Sequence, residues 1–219
     1  MGFHRGPKIT TDGLVLALDA ANHKSYPGSG DTIYDLVGSN NGNFNDGPTF
    51  NSNHNGSLVF DGVNDYIDLG DLSLISSDFC ISIWVEMTEN REHYFFSTGY
   101  NDAGSILIFS DGVWLNSASS DGRFSGNPGR VLNEIINITV ERTGSTAKWY
   151  KNGVFQSSLS YSGAISTNTN YVIGWAIPRN KSTAYFKGNF YALHIYNKGF
   201  TSDEVTQNYN ALKSRFGLT

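Results

Sequence analysis

Two β-prone runs, Leu58-Val59-Phe60 and Tyr66-Ile67 with Leu69, stand on either side of Asp61-Gly62-Val63-Asn64-Asp65. Asp, Asn and Gly adopt the turn conformations that other residues resist, and branched or aromatic side chains suit a pleated surface. A chain that spells strand, turn and strand this tightly is built by strand pairing.

The same grammar recurs downstream. In residues 79–87, Phe79, Ile81, Ile83, Val85 and Met87 fall on one face, and Cys80, Ser82, Trp84 and Glu86 on the other, the period of a strand. Further strands are predicted at 13–20, 94–97, 105–110, 112–115, 134–142, 170–175 and 188–196, with Asp111-Gly112 and Thr143-Gly144 as turns. Asn152-Gly153 between Lys148-Trp149-Tyr150 and Val154-Phe155 predicts a type I′ hairpin. Only residues 201–212 switch to helical spacing, with Thr201 or Ser202 as N-cap and acids in the first turn. Residues 22–55, rich in Gly, Asn, Ser and Asp, read as one long surface loop pinned by Tyr26, Tyr34, Phe44 and Phe50.

Composition agrees with one large all-β domain. The chain has 219 residues, 24 of them Gly, and only 16% are charged. The net charge of −5 and the scattered basic residues argue against nucleic acid as a partner, which requires clustered Lys and Arg. Cys80 is the sole cysteine and sits inside a strand, where it reads as a packed side chain. No run approaches membrane-spanning length, and no signal-peptide pattern opens the sequence, so a membrane partner is not expected and synthesis in a cytosol is.

The run from Phe60 to Ile67 resembles the FDG-x-x-DY-[VI] signature of laminin-G-like domains of the concanavalin A-like lectin and glucanase superfamily. The likeness extends to the end of the chain, through Tyr185-Phe186-Lys187-Gly188, Tyr196-Asn197, Glu204-Val205 and Asn208-Tyr209. It implies an all-β, antiparallel two-sheet jelly-roll sandwich with a short C-terminal helix. That sandwich is expected over residues 13–219, behind an N-terminal arm of residues 1–12. The opening 11–21 and closing 210–217 strings resemble those of structural proteins of tailed phages, marine cyanophages in particular.

Catalysis is not expected. The glucanase-type acid/base pair needs two carboxylates converging on one strand face. Glu86, Glu89 and Glu92 are spaced by three, which alternates faces. None of His4, His23, His54, His93 or His194 lies in a hydrolase motif, and zinc spacing is absent. The resemblance also implies a structural calcium, for which Asp19, Asp61 and Asp65, with Asp68, supply hard oxygens. However, relatives often carry Asp in G-x-[IF]-D-[DE]-V, where this chain has Tyr191 in Gly188-Asn189-Phe190-Tyr191-Ala192-Leu193. The alternative is that these acids bond their own turn backbone.

Sugar recognition combines aromatic faces with short amides and carboxylates. Tyr100, Asn101, Asp102, Trp114, Asn116 and Trp175 offer both, with Tyr185 in addition; the alternative for the rings is core or strand-edge packing. The reading that results is a non-enzymatic virion module, either a capsid decoration or a fibre-borne adhesion domain. It is expected to meet other virion proteins and host surface polysaccharide, as a homo-oligomer. Phe3, His4, Arg5 and Pro7 in the arm would dock onto the partner. A free secreted-type protein that binds or cleaves glycans, and a cement protein with no ligand, are the alternatives.

Overall fold

A computed structural model describes residues 7–75, 77–99, 104–116, 122–124, 126, 128, 130–166, 169–176 and 184–219. Its strands are β1 (Leu14–Asp19), β2 (Thr32–Ile33), β3 (Gly42–Asn45), β4 (Thr49–Asn51), β5 (Ser57–Asp61), β6 (Tyr66–Leu72), β7 (Phe79–Met87) and β8 (Tyr94–Thr98). They continue with β9 (Ile106–Phe109), β10 (Gly112–Leu115), β11 (Gly122–Arg123), β12 (Ile135–Thr143), β13 (Thr146–Lys151), β14 (Val154–Ser160), β15 (Thr169–Ile173) and β16 (Lys187–Tyr196). Helix α1 (Ser202–Leu212) and a 3-10 turn, Lys213–Phe216, close the chain.

The strands form two antiparallel sheets packed as a sandwich. The back sheet runs β14-β13-β12-β7-β16-β5-β4, with β1 also paired to β16; the front sheet runs β11-β10-β9-β8-β15-β6-β3-β2. Strand alternation decides what lies between them. From β7, Phe79, Ile81, Ile83, Val85 and Met87 enter the core, where they meet Ile67, Leu69, Phe96, Ile108, Val113 and Ile173 of the front sheet. Each such side chain contributes about 1.5–3 kcal/mol by leaving water, so an acid at Ile83 would remove the centre of the fold.

The other face of β7 is covered as well. Trp84 stacks on Tyr209 of α1 at 5.5 Å and packs on Phe216 at 4.7 Å. The helix begins with a capping box: the Glu204 amide donates to Thr201 Oγ1 at 3.3 Å and the Thr201 amide to Glu204 Oε2 at 2.8 Å. The Asn152-Gly153 hairpin has the two positive φ angles its sequence predicts, 52° and 75°. Among the described residues, no helix is long and apolar enough to cross a membrane.

One expectation changes. Residues 22–55 are not one loop, since they contain β2, β3 and β4. Tertiary contacts impose pairing on a sequence of low β propensity: Tyr26 packs on Phe44 and Phe50 at 5.4 and 5.7 Å, and a side chain at Gly42 would stand 2.5 Å from Ile67. Strand β11 is likewise unannounced by its two residues, Gly122 and Arg123. Residues 8–10, in the expected arm, bond to α1. The Thr10 amide donates to Asn208 at 2.7 Å, and Gln207 Nε2 to the Lys8 carbonyl at 2.8 Å.

Candidate carbohydrate-binding face

The period-two alternation that buries Ile67 and Leu69 turns Tyr66 and Asp68 onto the outer face of the front sheet. Strand register then lines up one outward row, Trp114, Leu107, Ser97, Val172, Asp68 and Asn43, across six strands. Aromatic rings collect along this face. The Arg123 guanidinium lies 4.0 Å over Trp114, Trp114 meets Phe109 edge-on at 4.7 Å, and Phe109 stacks on Tyr94 at 5.2 Å. Ala176 and Ala184 pack into the same cluster, and the residues beside them, Trp175 and Tyr185, stack on each other at 5.0 Å. Tyr66 closes that group, 5.3 Å from Trp175 and 6.5 Å from Tyr185.

Backbone geometry holds Trp175 there. Gly174 leaves β15 at φ 90°, where a side chain would stand 2.6 Å from Phe60, and Ser97 Oγ donates to the Trp175 carbonyl at 3.0 Å. The accessible parts of the strip are Trp114 and the trio Tyr66, Trp175 and Tyr185, all partly exposed, while Tyr94 and Phe109 are buried. Polar groups border it. Asn170 Nδ2 donates to Asp68 Oδ1 at 3.0 Å, whereas Asn170 Oδ1 and Trp175 Nε1 are buried and have no hydrogen-bond partner among the described residues. Burial, then the Asp68 carboxylate, pushes the Tyr66 phenol up, and burial followed by Asp46 does the same for Tyr185. Both phenols are therefore neutral, donating groups at ordinary pH. The partly exposed rings can offer a face for a sugar ring to stack on, and the Asp68 carboxylate and the two phenols beside them can bond its hydroxyls.

The sequence-predicted residues divide. Trp114 and Trp175 share this face. Tyr100, Asn101 and Asp102 lie outside the described residues. Asn116 does not belong to the surface: it is buried, with its amide donating to Ser105 Oγ at 2.8 Å and its carbonyl accepting from Tyr161 and Gly104. A strand end packed against a neighbouring loop uses such an amide to satisfy itself. Tyr66, Asp68, Asn170 and Arg123 were missed. The first two were findable, because they are the odd positions of a strand whose even positions, Ile67 and Leu69, are plainly core; Arg123 gives no such signal.

The acidic residues do not fit a calcium ion. Asp19 Oδ1 already accepts from Arg215 at 2.7 Å and from the Ala21 amide at 2.9 Å. Asp61 Oδ1 takes the Val63 and Asn64 amides, and Asp65 Oδ2 takes the Asp61 amide at 2.8 Å. Burial pushes the Asp65 carboxyl up, the direction that disfavours a metal-binding carboxylate. Among the described residues, no three His, Cys, Asp or Glu side chains gather for a metal. Glu86 and Glu89 also go separate ways. Glu86 accepts from Asn189 at 2.8 Å and Tyr191 at 2.7 Å on the back sheet, while Glu89 pairs with Arg91 and Lys187. Phe3, His4 and Arg5 lie outside the described residues; Pro7 is exposed.

Fold and face together define a jelly-roll sandwich of the lectin type. The chain belongs to the concanavalin A-like lectin/glucanases superfamily, whose laminin-G-type family model matches residues 61–206. Among solved structures it is similar to domain 4 of AbnA, a GH43 extracellular arabinanase from Geobacillus stearothermophilus, in complex with arabinotriose. That likeness has a TM-score of 0.71 and 18% identity over 93% of this chain and 99% of that one. It is also similar to Trypanosoma rangeli sialidase, with a TM-score of 0.69 and 14% identity over 96% of this chain and 34% of that one. The binding domain of botulinum neurotoxin serotype G matches with a TM-score of 0.63 and 17% identity, over 90% of this chain and 50% of that one. These likenesses show the fold. No curated protein sequence matches the chain.

Proposed function

We propose that this chain is a non-enzymatic glycan-binding module that stacks sugar rings on Trp114 and on the trio Tyr66, Trp175 and Tyr185. The observation that carries the reading is the trio itself, three partly exposed rings gathered on the outer side of the front sheet beside Asp68. The separate engagements of Glu86 and Glu89 support the non-enzymatic part, as does the arabinanase domain whose complex with arabinotriose shares this fold. The finer role is carriage on a tailed-phage particle, as capsid decoration or as an adhesion domain facing host polysaccharide. It rests on the resemblance of residues 11–21 and 210–217 to phage structural proteins. Virion proteins would then be its partners, in a homo-oligomer matched to the particle's symmetry.

The test is binding of the purified chain to a saccharide panel that includes bacterial surface polysaccharides, with Trp175→Ala and Trp114→Ala alongside. Binding lost in the variants with the fold intact supports the proposal. No binding to any saccharide would leave a cement protein, and cleavage of a panel member would restore the enzymatic reading.

A further inference from the structure

A cavity of about 440 Å³ opens on the outer face of the back sheet, across the sandwich from the aromatic strip. That volume lies within the range of small-molecule sites. Its walls are preformed. On one side the Asp35 carboxylate accepts the Ala17, Val37 and Gly38 amides at 3.1, 3.0 and 3.1 Å, which clamps the Leu36-Val37 loop beside β1. On the other, the bonds from Thr10 to Asn208 and from Gln207 to Lys8 fix Ile9 against α1. Ala211 and Leu212 of the helix complete an apolar rim.

The floor is polar. His194 projects from β16 away from the core residues Leu193 and Ile195, is 5% exposed and lines the cavity. Among the described residues its ring has no hydrogen-bond partner. Asp19 is also on the floor, but its charge is already matched by Arg215 at 2.7 Å. Lys8 also lines the cavity, but it is exposed and its charge is met by solvent at the mouth, so a charged head group reaching the floor would be buried without an opposite charge beside it, whereas a hydroxyl would satisfy the imidazole at no such cost.

We propose that this cavity binds a small uncharged amphiphile, its aliphatic body between Leu36, Val37 and Leu212 and its hydroxyl bonded to His194. The site is independent of the glycan-binding reading and stands if that reading fails.

The probes are 1-hexanol, hexanoate and hexylamine at neutral pH, which share one apolar body and differ in head charge. Binding is read from the backbone amide shifts of Ala17, Val37 and Leu212 and from the imidazole nitrogens of His194, in the full chain. Hexanol is expected to move these signals and leave those of Trp114 and Trp175 unchanged, with the charged probes weaker by about tenfold or more. Ala211→Phe, which fills the cavity, is expected to abolish the shifts. Should that variant lower the thermal midpoint, Val37→Trp, at a position 47% exposed, replaces it as the blocking change. The proposal is overturned if hexanol moves none of these signals, if the three probes bind alike, or if the shifts persist in the folded blocking variant.

Discussion

Arg215 donates to the Asp19 carboxylate at 2.7 Å, joining the end of the chain to its first strand. The same guanidinium takes the carbonyls of His54 and Gly56 at 3.0 and 2.9 Å. The two side chains are only 12% and 19% exposed, so solvent screens the pair weakly. Replacing Arg215 by Ala leaves a mostly buried carboxylate and two carbonyls uncompensated. We expect a loss of about 2–3 kcal/mol, or roughly 5–10 °C in thermal midpoint by calorimetry. A change below about 1 °C would show that the pair contributes no more than a surface contact.

His194 predicts an acid-side loss of stability. Burial pushes its pKa down to about 4, with the Asp19 carboxylate opposing and Arg215 adding to the shift. The fold therefore holds a neutral ring that the unfolded chain protonates below its ordinary value near 6.5. Stability contributed by this group is complete above that value and falls progressively as pH drops from about 6.5 toward 4, by about 3 kcal/mol in all. Thermal midpoints of the native chain and of His194→Gln across that window check it: the two curves should converge as pH falls, and parallel curves would refute it.

Gly174 is where the backbone tolerates no side chain. At φ 90°, with Phe60 2.6 Å from where a Cβ would stand, Gly174→Ala meets both strain and a clash with a core ring. We expect a loss of about 2 kcal/mol or more. Because Gly174 sets the exit from β15, the near-ultraviolet circular dichroism of the Trp175-Tyr185 stack should change as well. An unaltered spectrum would disconnect this turn from the aromatic strip.

Tyr66 separates stacking from hydroxyl recognition at the proposed glycan face. Tyr66→Ala removes a ring 5.3 Å from Trp175 and should weaken saccharide binding by about three- to tenfold. Tyr66→Phe keeps the ring and should retain most of the affinity. Titration calorimetry against a bound panel sugar distinguishes them; equal losses would mean that the phenol oxygen, and not the face, is what the sugar meets.

Legibility followed the range of the interactions. The β7 alternation, the Asn152-Gly153 turn and a helix start at Thr201 or Ser202 were all readable, because each is set by residues within one element. Strands β2, β3 and β4 were not. Their pairing depends on Gly42 lying against Ile67 and on Tyr26 reaching Phe44 and Phe50, contacts between segments that the sequence does not order in space. The site divided in the same manner: Trp114 and Trp175 were visible as aromatics, yet Asn116 looked equally suitable until its amide proved committed to Ser105.

By itself, then, the sequence determined that the chain pairs strands, where its main turns fall and where its helix begins, since dihedral preference and side-chain period act locally; the sandwich was what its resemblance to laminin-G-like domains implied. Tertiary structure alone decided which face each aromatic took, that Asp19 went to Arg215 rather than being left open to a metal, and that His194 became the floor of a cavity. Those outcomes belong to residues far apart in the chain, and only the register between strands and the packing of the last turns against the first strand brings them together.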